Sequence, residues 1–407
     1  MEVLYPRCAG LDVHKDTVVA CVRCISAPKA HAVRTFETTT RELLALSDWL
    51  ESFGCTHVAM EATGVYWKPV WHLLEGHFEL VLANAQHIRN VPGRKTDVND
   101  AMWIADLLAH GLIRSSFVPP IQIQELRDLT RTRKQLVREI SQHSLRIQKV
   151  LETANIKLAS VLSDVLCLSG RAMLAAIIAG EDNPERLADL AKGSARQKRS
   201  QLIEALRGHV TTHHRTMLKL HLDLIGALES ALDEVDSAVG KALAPISYAA
   251  DLLKTMPGIS DVVAHVIVAE IGADMTRFPT PAHLVSWAGL CPRNDESAGK
   301  RRSTRVRKSG TWLKTTLVTA AWAAVRKHNS YLRGHFLRLK ARRGPKKAIL
   351  AVAASMLTAA YFMLRDRVEY RELGHDYFDR HDKTKATNRL VRRLNQLGYD
   401  VELSHAA

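Results

Sequence analysis

Cysteine is scarce in this chain, with six in 407 residues. That is too few for a disulfide framework and suits a reducing cytoplasm. Cys21-Val-Arg-Cys24 has the spacing of half a metal site, but no second pair accompanies it, so neither zinc nor dithiol chemistry is expected there. Long apolar runs are also missing. The longest, 348–364, is broken by Ser355 and Thr358 and reads as a buried helix rather than a bilayer span. The N-terminal residues lack the apolar core of a signal peptide, so no membrane partner is expected. Acid is in deficit: 42 Asp and Glu stand against 57 Lys and Arg, a net charge of +15. Such an excess points to a polyanionic partner. Hydrophobic residues at 46% and charged residues at 24% exclude wholesale disorder, and the length allows two or three domains.

What is present falls into zones. Residues 1–120 read as α/β. Apolar positions over 8–25 suggest two strands turned at His14-Lys15-Asp16, followed by a helix over 41–53, a strand over 57–60, a helix over 65–74 and a strand over 79–83. Alternation of strand and helix predicts an open sheet with helices on its faces, whose reactive groups gather at strand ends. Residues 121–250 read as a helical region. Leu129, Leu136, Ile140, Ile147, Val150 and Ala154 recur at coiled-coil spacing along one helix from 124 to about 159, and Arg133 and His143 interrupt the seam. Asn183-Pro184 has the form of a helix cap, and a further helix is expected over 221–243. His209, His213, His214 and His221 could imitate a metal cluster, but they lack an i,i+4 pair with an adjacent acid and read as surface or packing groups.

Residues 251–370 form a mainly helical third zone, with a charged tail over 371–407. Met256-Pro257-Gly258-Ile259-Ser260 before a helix over 262–271 suits a helix-hairpin-helix, in which backbone N–H groups at Gly258 meet a phosphate. A plain helical corner in the core is the equal alternative. Beyond it, Lys300, Arg301, Arg302, Arg305, Arg307 and Lys308 follow Ser297 closely. Such a loop is costly to bury and is expected to order on phosphates.

The carboxylates carry the chemistry. Asp97 and Asp100 share a helical face at i,i+3 spacing and open a helix, where the dipole favours negative charge. Arg94 and Lys95 lie just before them. Asp12 and Glu61 fall at the ends of two predicted strands. Clustered carboxylates resist full ionisation without a cation, and hard oxygen donors suit Mg²⁺, with Mn²⁺ as the alternative. Two such ions about 3.5–4 Å apart can stabilise attacking and leaving oxygens together. Ser297 is followed by Ala298 and Gly299, small enough for a phosphate backbone to approach, whereas Ser303 lies in the arginine run and Ser309 precedes Gly310 as a turn residue.

These motifs resemble a known family. Asp12 in Gly10-Leu11-Asp12-Val13-His14-Lys15, Glu61 in Met60-Glu61-Ala62-Thr63-Gly64, and Lys95-Thr96-Asp97-Val98-Asn99-Asp100-Ala101 are similar to the DEDD motif of a bacterial insertion-sequence transposase family. Its N-terminal domain is similar to the Holliday-junction resolvase RuvC, an RNase H-like fold. Pro257-Gly258-Ile259 and Gly289-Leu290-Cys291-Pro292, with Ser297-Ala298-Gly299-Lys300, resemble its second domain, although Ala298 stands where many members have Gly.

The resemblance implies a recombinase that excises and inserts its own element in double-stranded DNA. It implies a metal-binding tetrad of Asp12, Glu61, Asp97 and Asp100, and Ser297 as a nucleophile forming a phosphoserine link. It also implies a structured bridge RNA as guide, and a homo-oligomer (dimer or tetramer) joined through the coiled coil. Arg301, Arg302 or Arg305 would stabilise charge on the phosphate, and Arg94, Lys95, Gly258, Lys300, Arg307 and Lys308 are further candidate nucleic-acid contacts, in a bacterial cytoplasm near the nucleoid. Two other classes stay open: a metal-dependent nuclease that uses water, with Ser297 structural, and a non-catalytic nucleic-acid-binding protein.

Overall fold

Alternation along Arg7–Val13 places Ala9, Leu11 and Val13 on one face of a strand, β1, and Cys8, Gly10 and Asp12 on the other. Both faces are buried. The chain turns at residues 14–16 and returns antiparallel as β2 (Thr17–Cys24), with Asp12 paired to Val19. A third antiparallel strand, β3 (His31–Glu37), completes this half of the sheet. Helix α1 (Thr40–Ser52) leads to β4 (His57–Glu61), helix α2 (Trp67–Leu74) to β5 (Glu79–Ala83), and helix α3 spans Asp97–Ala109. The strand order is β3-β2-β1-β4-β5. The β1-β4 and β4-β5 pairs are parallel, so the sheet is mixed. That layout is consistent with an RNase H-like domain.

The computed structural model describes residues 3–24, 31–62, 64–83, 97–292, 295–297, 299–303, 305–306 and 311–404; the side chains at 97–99, 295–297, 300–302, 311 and 385 lie outside that description. Arg94, Lys95, Arg307 and Lys308 therefore lie outside the described residues. The chain divides into two units, Met1–Val118 and Pro119–Ala407.

In the first unit, α1 and α2 cover one face of the sheet. Leu43, Leu46, Leu50, Val70, Trp71 and Leu74 pack there with Leu11, Val13 and Phe36. Helix α3 covers the other face, burying Ile104, Leu107 and Leu108 with Cys8 and Ala59. Strand β3 was not expected from the sequence. It is an edge strand on which Phe36 alone is buried, so it lacks the apolar alternation that betrays a strand. Cys21 packs with Ala101 and Ala105 on the α3 side, while Cys24 lies against the opposite core. Three residues apart on a strand, the two thiols point to opposite faces and cannot share an ion. Burial pushes the Cys21 thiol up to about 12.

The second unit opens with α4 (Ile121–Thr153), preceded by Pro120. Short helices follow: α5 (Leu158–Val161), α6 (Leu168–Ile178), α7 (Pro184–Asp189) and α8 (Arg199–Ala205). As expected, Asn183 caps α7, accepting from the N–H groups of Glu185 and Arg186, with Pro184 in the first turn. Helix α9 (Thr212–Leu243) begins earlier than its apolar spacing suggests, because Thr211 and His214 form a reciprocal cap.

Helices α4 and α9 run side by side, and the residues that interrupt the α4 seam find polar partners there. Arg133 makes a two-pronged bond to Asp236, at 2.5 and 3.0 Å. His143 Nδ1 lies 3.2 Å from His221 Nδ1. Numbers rise along one helix as they fall along the other, so the pair is antiparallel within this one chain.

The remaining helices are α10 (Ser247–Lys254), α11 (Asp261–Ile271), α12 (Pro281–Trp287), α13 (Thr311–Ala324), α14 (Tyr331–Arg343), α15 (Pro345–Asp366), α16 (Tyr377–His381) and α17 (Lys383–Gln396). The buried helix expected over 348–364 is present. By length and composition α15 is apolar enough to cross a bilayer, even with Ser355 and Thr358 within it. It is instead a core helix, burying Val352, Met356, Leu357 and Leu364, and Tyr361 Oη donates to the Phe278 carbonyl at 3.1 Å.

Candidate active site

Strand register places the first two carboxylates. In the parallel β1-β4 pair, Gly10 stands opposite Ala59 and Leu11 opposite Met60. The next residues along the two strands are Asp12 and Glu61. By the two-residue period of a strand, Asp12 shares the face of Cys8 and Gly10, and Glu61 that of Ala59. Cys8 and Ala59 both pack against α3. Asp12 and Glu61 therefore belong to the α3 face, at the ends of adjacent strands.

The close approach of α3 supplies the second pair. A side chain at Gly10 would place its Cβ 2.3 Å from the Ala101 carbonyl oxygen and 2.4 Å from the Ala105 nitrogen. Glycine alone lets this helix lie on β1. Cys8 Sγ reaches the Ala105 carbonyl at 3.6 Å, so moving up β1 from Cys8 to Gly10 moves back along α3 from Ala105 toward Ala101. The same progression carries Asp12 toward the first turn of α3, which holds Asp97 and Asp100. Asp106 anchors the helix to the sheet from its other side, 2.9 Å from Arg23 Nη1 and 3.1 Å from His31 Nε2.

Asp12 is 8% exposed, a buried carboxylate, while Glu61 and Asp100 are half-buried. His14, two residues on and on the same face, places Nε2 3.1 Å from Asp12 Oδ2. In the sequence only the i,i+2 spacing from Asp12 marks His14. The donor set consists of hard carboxylate oxygens, as Mg²⁺ and Mn²⁺ require. Among the described residues no three such groups stand close enough to hold an ion, and the Asp97 side chain is outside that set.

In the second unit, Ser297 ends a short strand, β6 (Asp295–Ser297), paired antiparallel with β7 (Lys300–Ser303). Ser297 stands opposite Lys300, and Glu296 opposite Arg301. Gly299 takes φ +74° in the turn, with open space around it. The expected charged loop is therefore a hairpin, closed at its base by pairing of Pro292 with Val306. Arg302 lies on β7, and Arg305 is exposed just beyond it.

Gly258 takes φ +85°, and a Cβ there would meet the Ala320 carbonyl at 2.4 Å and the Ala324 nitrogen at 2.6 Å. Close packing of the α10–α11 corner on α13 accounts for this glycine by itself.

A buried ion pair went unnoticed in the sequence. Glu270, 3% exposed, accepts from Arg131 Nε at 2.8 Å and Nη2 at 3.0 Å. Arg127 Nη2 donates to the Glu270 carbonyl at 2.7 Å. The Arg131 guanidinium and Lys134 Nζ both lie over the Trp312 ring, at 5.6 and 5.5 Å. This cluster ties α4 and α11 to the start of α13, the helix that follows the Ser297 hairpin. Arginines one helical turn apart were its only sequence trace.

A mixed sheet in this order, with helices on both faces, is consistent with the RNase H-like fold. Residues 9–156 match the DEDD transposase family of the IS110 type, and residues 250–336 match the transposase IS116/IS110/IS902 family. A 121-residue stretch is 31% identical to the insertion element IS110 uncharacterized 43.6 kDa protein of Streptomyces coelicolor, covering 29% of each chain. The pilin gene-inverting proteins of Moraxella bovis and Moraxella lacunata are 22% identical over 389 and 388 residues, 90% of this chain and 98% of theirs. The chain belongs to the IS110 family of transposases, enzymes of DNA transposition and recombination.

Proposed function

We propose that this chain cuts and rejoins double-stranded DNA at the ends and target of an insertion element, with Ser297 as nucleophile and Asp12, Glu61, Asp97 and Asp100 as the metal-binding group. The observation that carries the reading is the placement of Asp12 and Glu61 side by side on the sheet face that α3 covers from its acidic first turn. A divalent ion held by these carboxylates would neutralise charge on the phosphate and lower the pKa of a bound hydroxyl.

The protein's own groups divide the remaining work. A carboxylate or solvent takes the proton of the Ser297 hydroxyl, and the oxygen forms a bond to phosphorus. The sugar oxygen leaves and is protonated. The phosphodiester is thereby kept as a phosphoserine ester, which a second strand's hydroxyl can reverse. Lys300, Arg301, Arg302 and Arg305 are positioned in sequence around Ser297 to offset the phosphate charge, with Arg307 and Lys308 beyond them and Arg94 and Lys95 before Asp97. The family resemblance adds assembly of more than one copy to the reading, with the tetrad of one copy meeting Ser297 of another. Exposed Val137 and Leu145 on α4 and Leu220 on α9 leave apolar surface for such a coiled-coil contact. A structured guide RNA belongs to the same reading: the net charge of +15 supports a polyanionic partner, and the family resemblance alone singles out RNA. It would bind mainly through the basic α/β domain and the α4 helix, and the Gly258 corner stays a candidate contact for a nucleic-acid phosphate only through its backbone N–H groups.

The test is a denaturing gel of protein incubated with element DNA. Wild type should yield a covalent protein–DNA adduct, Ser297→Ala none, and Ser303→Ala and Ser309→Ala should keep it. If Ser297→Ala still forms the adduct, the nucleophile is elsewhere. If wild type cuts without ever forming one, the water-using nuclease takes its place.

A further inference from the structure

No Asp or Glu occurs between Glu296 and Asp366. Within this acid-free stretch, α13 and α14 frame a cavity of about 400 Å³ lined by Trp322, Val325, Arg326, Arg333, Phe336, Leu337 and Lys340. Its floor is apolar and its rim cationic. Trp322 is 42% exposed and Leu337 49%, while Phe336 is buried and meets the Trp322 ring edge-on at 5.5 Å. Arg333 is held by donation from Nη1 to the Val325 carbonyl at 3.1 Å, which leaves further N–H groups for a ligand. Arg326 and Lys340 are exposed.

We infer that this cavity binds an unpaired nucleotide of single-stranded DNA, its base on Trp322 and its phosphates on Arg326, Arg333 and Lys340. Stacking on an exposed indole with flanking cations is how sequence-tolerant single-strand binding is built. An apolar peptide docked here would strip water from three cations without supplying a carboxylate. The cavity has the size of a small-molecule site, which admits one base and its sugar, whereas the stacked bases of a duplex would not reach its floor. Breaking and rejoining strands, the activity of the family, exposes such nucleotides. DNA is therefore the source to which the inference commits, and it depends on neither Ser297 nor the carboxylates.

The experiment measures binding of a fluorescent oligothymidylate, the same oligomer with abasic sites, and its RNA counterpart to the full chain. Trp322→Ala should weaken binding of the base-bearing DNA about tenfold, the scale of one stacked base. It should leave the abasic strand unchanged, and Trp322→Phe should lose little. Arg326→Ala with Lys340→Ala should weaken both strands and flatten the salt dependence. Irradiation of a 5-iodouracil strand should crosslink within 322–340. Equal losses on base-bearing and abasic strands, no loss in Trp322→Ala, a crosslink mapped elsewhere, or tighter Trp322-dependent binding of RNA would each overturn the inference. Circular dichroism and retained duplex binding establish that the variants fold, and no outcome requires cleavage activity.

Discussion

Gly10 lies against the Ala101 carbonyl so closely that an added methyl group would sit 2.3 Å from it. Both partners are backbone or rigid sheet, so the contact cannot yield by a rotamer change. Gly10→Ala should push α3 off β1, lowering stability by about 1–3 kcal/mol and separating Asp100 from Asp12. Urea denaturation checks the first effect and DNA cleavage the second. Unchanged values for both would show that α3 does not set the site.

His14 touches Asp12 and is itself half exposed, so its loss should spare the fold. Groups that orient metal-binding carboxylates typically change affinity or activity about 10–100-fold. His14→Ala should therefore raise the Mg²⁺ concentration needed for half-maximal cleavage, and a Mg²⁺ titration reads this directly. An unaltered titration would leave His14 as a surface residue.

Glu270 is buried between Arg127 and Arg131. Removing one partner of such a group strands the other charge, at a cost of about 3–5 kcal/mol. Glu270→Ala should lower the urea midpoint accordingly, while Arg127→Met and Arg131→Met together with Glu270→Leu should recover much of the loss. If Glu270→Ala is neutral, the cluster does not hold α4 to α11.

Burial, then His143 and Arg146, hold the His221 imidazole below its ordinary value of 6.5. The folded state therefore takes up a proton less readily than the unfolded one. Stability is fully present above about pH 6.5 and is lost as pH falls below it. Thermal melts from pH 8 to pH 5 should show a falling midpoint, with a shallower fall in His221→Asn. Burial lowers His265 and His335 as well, so some slope should persist. A steeper fall in His221→Asn would contradict this.

Much of the first unit was legible because β1, β2, β4 and β5 carry apolar residues at strand spacing. Asp12 and Glu61 could be placed at strand ends for that reason. Strand β3 was hidden because an edge strand with Phe36 alone buried has no pattern to read. The apposition of α3 to β1 was equally hidden, since it rests on the absence of a side chain at Gly10. Helix α4 was readable from its seam, but the polar partners of Arg133 and His143 were not, because Asp236 and His221 lie far away in sequence. The Ser297 hairpin looked like a loop, its charges outweighing the turn signal of Gly299. The cavity beside Trp322 joins two helices whose faces meet only in the fold.

The central claim is that the acids of β1, β4 and α3 form one metal-dependent site. Its most direct test is the cleavage of element DNA in Mg²⁺ by wild type and Asp100→Ala, at matched DNA occupancy. The account predicts cleavage that a chelator abolishes in wild type, and no cleavage in the variant despite unchanged folding and DNA binding. Full cleavage by Asp100→Ala, or wild-type cleavage that survives the chelator, would contradict it.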